Sequence, residues 1–291
     1  MTMKQKTTKI TPTKVTTPLR DQCLSHCATL GIPLEPAVLD ELLSRAEREG
    51  LPHLQFLDLL LGAQAHARRE RGVARRIREA HFAEERTLEG FDWQFNPEAF
   101  DRVRIEELAT GDFIRRRSNL ILVGWSGVGK SHIIQAVGQK ACVHGYRVLY
   151  RTSAQLLSDL TASLADKTLP ARVRRYASPD LLIVDEFGFD RIERVECPEA
   201  AHLLYKIIAA RNQKRSTAVV TNVDFEKWGE YLTDGPLAMA FLDRLVERAI
   251  VLKVMGKSYR AWQAQQAAEA EAAKKDSKVT TPRSDRFFRP A

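Results

Sequence analysis

The stretch "LILVGWSGVGKSHIIQA", residues 120–136, decides what kind of fold this chain adopts. Its centre matches the pattern G-x-x-x-x-G-K-[ST] at Gly124, Gly129, Lys130 and Ser131. An apolar run typical of a buried strand precedes the glycines, and a segment with helical periodicity follows them. This order places a concave set of backbone NH groups at a helix N-terminus, where they stabilise a phosphate chain. The stretch therefore predicts a phosphate-binding loop rather than an ordinary turn.

Each position of this loop has a chemical reason. Gly127 and Gly129 let the backbone approach a phosphate closely. The Lys130 ammonium reaches the β and γ phosphates, and the Ser131 hydroxyl ligates Mg²⁺. The predicted nucleotide-binding residues are Gly124, Trp125, Ser126, Gly127, Val128, Gly129, Lys130, Ser131 and His132.

Two adjacent acids end the apolar run "LLIVDE", residues 181–186. Open parallel sheets bind ligands at the carboxyl ends of their strands. We therefore predict that Asp185 holds Mg²⁺ and that Glu186 orients and deprotonates the attacking water. The alternative is a pair of solvated acids at a strand end. An acid directly after the magnesium aspartate favours a hydrolase over a nucleotide kinase, which gains nothing from an activated water.

Polar residues further along the chain are candidates for the same site. "TAVVTN", residues 217–222, places Asn222 at a strand end, where it either reaches the γ phosphate or merely begins a turn. "AFLDRLVER", residues 240–248, places Arg244 and Arg248 four apart on one predicted helical face. These arginines are either surface residues without a role or an arginine finger donated to a neighbouring subunit.

Strands and helices alternate from residue 118 onward. Such alternation implies parallel strands joined by crossover helices, and nearly continuous apolar strands imply that both sheet faces are covered. We predict strands at 120–123, 147–150, 181–186 and 217–222, and helices at 130–144, 153–164 and 199–212. The fold class is therefore α/β, with a central parallel sheet flanked by helices.

The front of the chain has helical periodicity, with a start at Thr17, stops at Gly31 and Gly50, and a third helix from about His53. The aromatics of "FDWQFNP" are more typical of core than of base stacking, and the segment is expected to be an extended connector. The predicted domains are a disordered basic tail at 1–16, a helical domain for DNA or partner binding at 17–90, an ATPase domain at 91–262 and a polar, disordered tail at 263–291.

The charge of the chain fits a polyanionic partner, a membrane surface or a solvated basic face, and by itself it does not decide among them. Lys and Arg number 45 against 37 Asp and Glu, for a formal net charge of +8. Six arginines within one helical segment are predicted to contact successive phosphates with little sequence information, unless they simply form a solvated helix face. They are Arg68, Arg69, Arg71, Arg75, Arg76 and Arg78.

The four cysteines form no regular framework, and no leader-like or membrane-spanning apolar segment is visible. We therefore expect a reduced, cytoplasmic protein without a membrane partner. The grouping "CLSHC" brings Cys23, His26 and Cys27 together, but no second ligand pair follows at a suitable spacing. Cys23 and Cys27 are interpreted as small core residues of a helix.

The order of these motifs resembles the AAA+ ATPases of the DnaA and DnaC clade. The phosphate loop "GWSGVGKS" is followed by "LLIVDEFGF", "TAVVTN", "AFLDRLVERA" and "GKSYR" at 256–260. With "ARRIREAHFAEERTLEGFDWQFNP" at 74–97, the chain resembles, more narrowly, the IstB-type transposition helper ATPases over roughly residues 20–262. Trp125 and Ser126 stand where many relatives have two prolines, and Ser131 where many have Thr. Since backbone groups make most phosphate contacts, nucleotide binding should survive these departures.

The resemblance implies an AAA+ P-loop core, preceded by a small all-helical domain, that binds ATP with Mg²⁺. Asn222 would be a polar sensor on the strand between the loop and the acids. Arg244 would be the first choice for the arginine finger acting on a neighbour, with Arg248 second. Arg260 lies in a late sensor segment. Such helpers form ATP-dependent homo-oligomers on double-stranded DNA and deliver it to a partner transposase, which they stimulate.

Other functions fit part of the pattern. A DnaC-like helicase loader acting in replication would use the helical front to dock a helicase and would prefer single-stranded DNA. A metabolic P-loop enzyme would transfer phosphate to a small acceptor, but the adjacent acids and late arginines argue against it. A DnaA-like initiator is disfavoured because nothing after residue 262 resembles a helix-turn-helix domain.

Overall fold

The structure is a computed structural model that describes residues 17–188, 199–232 and 234–279. The chain divides into two compact units, Met1–Gly72 and Val73–Ala291. This division lies within a helix, earlier in the chain than residue 90, where the sequence placed the domain boundary. The disorder expected at 1–16 and at the end of the C-terminal tail concerns residues outside the described ranges.

The first unit consists of helices. The elements are α1 (Thr17–Thr29), α2 (Pro36–Glu49) and the first part of α3 (His53–Ala80). These bounds confirm the predicted helix starts, and Gly50, with φ 61°, ends α2 in the left-handed conformation that glycine adopts readily. A bidentate pair from Arg20 to Asp40 joins α1 to α2, with an Nη2 to Oδ2 distance of 2.6 Å.

Very little of the first unit is buried. Between residues 18 and 72, only Leu39 is classed as buried. Cys23 is exposed and Cys27 half-buried, so the interpretation of these cysteines as core residues is wrong. The physical reason is that α1 buries none of its described side chains completely, so the described part of this unit offers them little core to join.

The second unit contains the alternating strands and helices. In chain order after α3 they are α4 (Arg102–Ala109), α5 (Asp112–Arg115), β1 (Leu120–Gly124), α6 (Lys130–Val143), β2 (Val148–Thr152), α7 (Ser153–Ala165), α8 (Leu169–Ala177), β3 (Leu181–Phe187), α9 (Ala200–Arg211), β4 (Ser216–Thr221), a 3-10 turn (Phe225–Lys227), α10 (Trp228–Tyr231), α11 (Gly235–Val246), β5 (Ile250–Val254) and α12 (Tyr259–Val279).

The strands form one parallel sheet in the order β2-β3-β4-β1-β5. Successive residues of each strand face opposite sides, so Leu120 and Leu122 pack in one core cluster while Ile121 packs in the other. The predicted α/β class with both sheet faces covered is therefore confirmed. β5 was missing from the prediction, although it pairs with β1 along the whole phosphate-loop strand.

The segment after α3 differs from the sequence prediction. α3 ends at Ala80, and His81 follows with φ 58°. Residues 91–97 form a run of turns rather than an extended connector. The reason is local, because the Asp92 carboxylate accepts hydrogen bonds from the amides of Gln94 and Phe95.

The start of the C-terminal tail is helical. Residues 263–279, part of the segment predicted to be a polar, disordered tail, belong to α12, which continues to Val279. Within the described ranges, no helix is both long enough and apolar enough to cross a membrane.

A buried arginine organises the end of the sheet at which the strands begin. Arg211, the last residue of α9, is 1% exposed. Its guanidinium donates to the carbonyl oxygens of Tyr176 at 2.8 Å and Pro179 at 3.0 Å, and to the carbonyl of Ser216. Its Nε donates to the Thr217 hydroxyl at 3.0 Å. A buried cation is tolerated here because its donors find acceptors.

Replacing Arg211 with methionine should lower the free energy of unfolding by about 3 kcal/mol or more, because several buried carbonyl groups lose their donor. Urea unfolding followed by circular dichroism measures this change. Arg174→Met is the matched control, since Arg174 is exposed on α8, and should change stability by less than about 0.5 kcal/mol. Equal midpoints for the two variants would refute the structural role of Arg211.

Candidate functional site: a phosphate-loop cavity

The loop between β1 and α6 has a shape that only glycine allows at three positions. Gly124, Gly127 and Gly129 have φ values of 155°, 80° and 107°. A Cβ atom on Gly124 would lie 1.7 Å from the carbonyl oxygen of Val254, and one on Gly127 would lie 2.2 Å from the Ser258 hydroxyl. The glycines thus serve close backbone approach as well as conformation.

A cavity of about 680 Å³ opens over this loop. Its floor combines the loop and the start of α6 with the carboxyl ends of β2 and β3, the location expected for ligands of an open parallel sheet. The predicted residues that line it are Ser126, Gly127, Val128, Gly129, Lys130, Ser131, His132, Asp185, Glu186 and Arg260. The structure therefore brings most of the predicted site together.

Lys130 is folded back onto its own loop. Its Nζ donates to the carbonyl oxygens of Gly124 at 2.7 Å and Trp125 at 2.6 Å, and the residue is 6% exposed. Burial lowers the pKa of Lys130 to about 8; the Asp185 carboxylate opposes this shift and the Arg260 guanidinium adds to it. An anionic phosphate chain in the cavity would favour the charged ammonium.

Asp185 is the centre of a hydrogen-bond cluster. Its Oδ1 accepts from the Ser131 hydroxyl at 3.1 Å and from the Glu186 amide at 2.8 Å, while its Oδ2 accepts from the Tyr150 hydroxyl at 2.9 Å. Burial, together with the adjacent Asp185 carboxylate, raises the pKa of Tyr150 well above its usual range, so the phenol remains a donor. The carboxylate is thereby held in one orientation.

This cluster fits Mg²⁺. The Ser131 hydroxyl and the Asp185 carboxylate offer two converging hard oxygen ligands, and Mg²⁺ commonly takes one or two such protein ligands together with substrate phosphates and water. In the part of the chain that the structure describes, no group of three or more His, Cys, Asp or Glu side chains is placed to hold a metal. Because Mg²⁺ usually keeps substrate phosphates and water among its ligands, those groups would complete its coordination.

Glu186 adopts a strained backbone conformation at the edge of the cavity. Its φ is 58°, a region that costs a residue with a Cβ atom about 1 kcal/mol. The pairing of β3 with β4 is irregular between Val184 and Phe187, so this residue departs from the regular strand. Glu186 is exposed and lines the cavity, where strain is commonly found at functional positions.

The start of α12 is fastened to the phosphate loop. The Tyr259 amide donates to the Gly127 carbonyl at 2.9 Å. The Asn96 side chain donates to the Lys257 carbonyl at 2.7 Å and accepts from the Lys257 amide at 3.0 Å. These bonds place Arg260, which is exposed, at the cavity wall.

Other predicted site residues do not line the cavity. Asn222 is exposed just after β4, the strand between β1 and β3, and Trp125 is 62% exposed. Arg244 lies over the Tyr205 ring, with Cζ 4.6 Å from the ring centroid. The prediction that Arg244 and Arg248 share a helical face is wrong, because α11 ends at Val246 and Arg248 has φ 58° in the following turn.

The predicted DNA-binding arginines are all on α3, divided between the two units. Arg68, Arg69 and Arg71 belong to the first unit and are exposed. In the second unit, Arg75 and Arg78 are exposed. Arg76 is half-buried, and its Nε donates to the Cys142 carbonyl at 2.8 Å, so this arginine also fastens α3 to the end of α6.

Sequence reasoning missed Tyr150 and Asn96. Tyr150 belongs to the predicted strand "RVLY", and the rule that parallel strands end at one ligand-binding edge was a signal for it. No comparable signal marks Asn96, because its partner Lys257 lies far away in sequence. The aromatics Phe91 and Trp93 pack against the core, as the sequence predicted.

The fold and cavity define a P-loop nucleotide-binding protein, with a five-stranded parallel sheet, a phosphate loop and a helical front. Comparison of the sequence with known families narrows this class. The chain belongs to the family of IstB-like ATP binding proteins, which it matches over residues 26–267.

Two similar proteins are ATP-binding proteins of insertion sequences. The ATP-binding protein of insertion sequence IS21 from Pseudomonas aeruginosa is 34% identical over 85% of this chain and 89% of that protein. The ATP-binding protein of insertion sequence IS5376 from Geobacillus stearothermophilus is 29% identical over 83% of this chain and 94% of that protein. Among solved structures, a crystal structure of DnaI is similar to this chain. The match covers 58% of this chain and 91% of that chain, with 18% sequence identity and a TM-score of 0.49.

Replacing Tyr150 with phenylalanine should weaken Mg²⁺ binding about tenfold or more, because Asp185 loses the donor that orients it. The measurement is Mg²⁺-dependent binding of a fluorescent ATP analogue, with the Mg²⁺ concentration varied. Binding of the analogue without Mg²⁺ should stay unchanged. Tyr176→Phe is the matched control, since its hydroxyl also donates to an aspartate, Asp159, at 2.7 Å outside the cavity. Equal Mg²⁺ dependence in both variants would exclude this role for Tyr150.

ATP binding at pH 8 should take up about half a proton per site, because Lys130 is then half protonated in the free protein and the phosphates raise its pKa. Isothermal titration calorimetry in buffers of different ionisation enthalpy measures this uptake. Lys130→Arg should abolish it, since arginine stays protonated. The same uptake in wild type and Lys130→Arg would contradict the assignment.

Proposed function

We propose that the protein is a DNA-binding ATPase that assembles on double-stranded target DNA and delivers it to a transposase, which it stimulates. The observation that carries this proposal is the Lys130, Ser131 and Asp185 cluster in a chain of the IstB-like family. The nucleotide site also contains an acid that would activate water. ATP binding and hydrolysis would therefore control the assembly.

The chemistry proposed for the cavity is ATP hydrolysis. The loop amides and Lys130 would hold the phosphate chain, and Ser131 and Asp185 would hold Mg²⁺. When bound, Mg²⁺ would neutralise charge on the phosphate oxygens. Glu186 would orient the attacking water and accept its proton, because its carboxylate lies at the cavity edge. Arg260, which also lines the cavity, would add positive charge.

Assembly is proposed to complete the site. Arg244 does not line the cavity of its own chain, as expected of a residue that acts on a neighbouring subunit. Its guanidinium rests on the Tyr205 ring, a contact that holds a cation at a surface without neutralising it. ATP binding would then favour oligomers, and hydrolysis stimulated by the neighbour's arginine would release them. Asn222 is proposed to sense the γ phosphate.

DNA contact is proposed for the exposed arginines of α3. Arg68, Arg69, Arg71, Arg75 and Arg78 offer charge along one continuous helix, so their contacts would follow the backbone phosphates and carry little sequence information. The binding should therefore weaken steeply with salt.

Binding of the purified chain to a long mixed-sequence duplex and to a single strand tests this function, with ATP, ADP or no nucleotide and with particle size followed. We expect ATP-dependent assembly on duplex DNA that is lost in Lys130→Ala. Arg244→Ala should keep ATP binding but lose about 10³-fold in hydrolysis rate, as removal of an arginine finger does. Arg248→Ala is the matched control and should retain hydrolysis.

The outcomes separate this function from its main competitor. Preference for single-stranded DNA, together with indifference to duplex, would replace the proposal with a helicase loader. Duplex assembly that is unaffected by Lys130→Ala would remove nucleotide from the control of binding. Loss of hydrolysis in Arg248→Ala but not in Arg244→Ala would reverse the finger assignment.

A further inference from the structure

The end of the sheet opposite the nucleotide cavity carries a second concave site. A pocket of about 480 Å³ lies between the end of α5, the turn before β2 and the turn between α9 and β4. Four of the residues that line it are cationic, and we call this site the basic pocket. They are Arg115, Arg117, Lys214 and Arg215. The ATP chemistry described above uses none of them.

Two turns hold these side chains in place. Arg117 and Gln213 both have left-handed backbone conformations, with φ 59° and 56°. The Arg117 guanidinium donates to the Gln213 carbonyl at 3.3 Å and so joins the two turns. The turn after α9 is also anchored by the buried Arg211, which bonds to the Ser216 carbonyl. The pocket is therefore a shaped part of the fold.

Positive charge exceeds negative charge at this edge. Of the acids at this edge, Asp112 and Asp180 are each shared by two arginines, and Glu247 accepts hydrogen bonds from the side chains of Asn212 and Gln213. Lys214 is exposed and has no hydrogen-bond or ion-pair partner among the described side chains. The cations of the edge are Arg115, Arg116, Arg117, Arg147, Lys214 and Arg215. Several positive charges thus remain for a ligand.

The pocket lies at the same end of α6 as the last turns of α3. Arg76 donates to the carbonyl of Cys142, in the last turn of α6. Tyr146, which lines the pocket, follows directly, and its amide donates to the Ala141 carbonyl at 3.0 Å. The cations of α3 in the second unit and those of the pocket therefore belong to one end of this unit.

We propose that the basic pocket binds backbone phosphates of duplex DNA, as a contact separate from that of α3. The inference rests on the proposed function. Guanidinium groups match phosphate oxygens in geometry, and such contacts add affinity without reading sequence. An acidic protein segment fits less well, since the pocket offers no exposed apolar anchor: Ile114 is 5% exposed, and the half-buried Tyr146 ring closely faces Gly111.

The test uses the full chain with Arg115→Glu and Lys214→Glu combined. The matched control combines Lys227→Glu and Lys253→Glu, which change net charge equally at exposed positions near the opposite ends of the strands. Binding to a mixed-sequence duplex is measured with ATP at several salt concentrations. We expect the pocket variant to bind about tenfold more weakly, with the slope of log K against log salt reduced by about two. The control should match wild type.

Other readouts separate the possible failures. The substituted residues are exposed, so we expect the pocket variant to fold. Unchanged binding of the fluorescent ATP analogue would show that it does. Wild-type protein that fails to bind duplex would sink the proposed function itself. If the wild-type protein binds duplex and the pocket variant shows an identical salt slope, this inference alone is refuted. Loss of inorganic pyrophosphate binding in a variant that still binds duplex normally would also overturn it, because the pocket would then serve a small phosphate ligand.

Discussion

The hydrogen bonds to the Asp185 carboxylate hold the nucleotide site together, because they join three elements at one buried charge. Tyr150 donates from β2, Ser131 donates from α6, and the Glu186 amide donates from β3 itself. Asp185 is 1% exposed, and a buried carboxylate is costly unless donors compensate for lost water. The strand order places β2 beside β3, so this cluster requires the parallel sheet to form in its observed order.

The phosphate loop is also held from both sides by segments distant in sequence. On one side, the Glu84 amide donates to the Gln135 side chain at 3.1 Å, and His132 bonds the Thr87 carbonyl at 2.8 Å. On the other side, α12 bonds to the Gly127 carbonyl through Tyr259. A loop displacement on phosphate binding must therefore strain or move both segments. This gives a nucleotide site a physical connection to the start of α12 and to the segment after α3.

The sequence predicted site residues at positions where the local geometry or chemistry allows few residue types. A phosphate loop needs glycine at Gly124, Gly127 and Gly129, and paired acids after a strand have few other purposes, so these positions could be read directly. The limits arose where tertiary contacts decide. β5 is a short strand with exposed Lys253, and only pairing with β1 defines it.

The same reasoning explains the errors at helix ends and in the first unit. Arg248 was placed on a helix because its spacing from Arg244 fits, but periodicity does not show where α11 stops. The cysteines of α1 have core-like neighbours in sequence, yet burial depends on a core that the first unit scarcely contains. Local pattern predicted the elements; packing decided their limits.

The buried cation of the nucleotide cavity and the exposed cations of the basic pocket lie at opposite ends of the sheet. The nucleotide cavity lies at the carboxyl ends of the strands, where the cation Lys130 is buried and its pKa is lowered to about 8. The basic pocket lies at the amino ends, where Lys214 and Arg115 are exposed. A buried cation suits a small ligand that replaces its water, whereas exposed cations suit a long polyanion whose binding releases counterions. Because α6 runs from the phosphate loop to Cys142, beside the basic end, one rigid helix spans the distance between the two kinds of site.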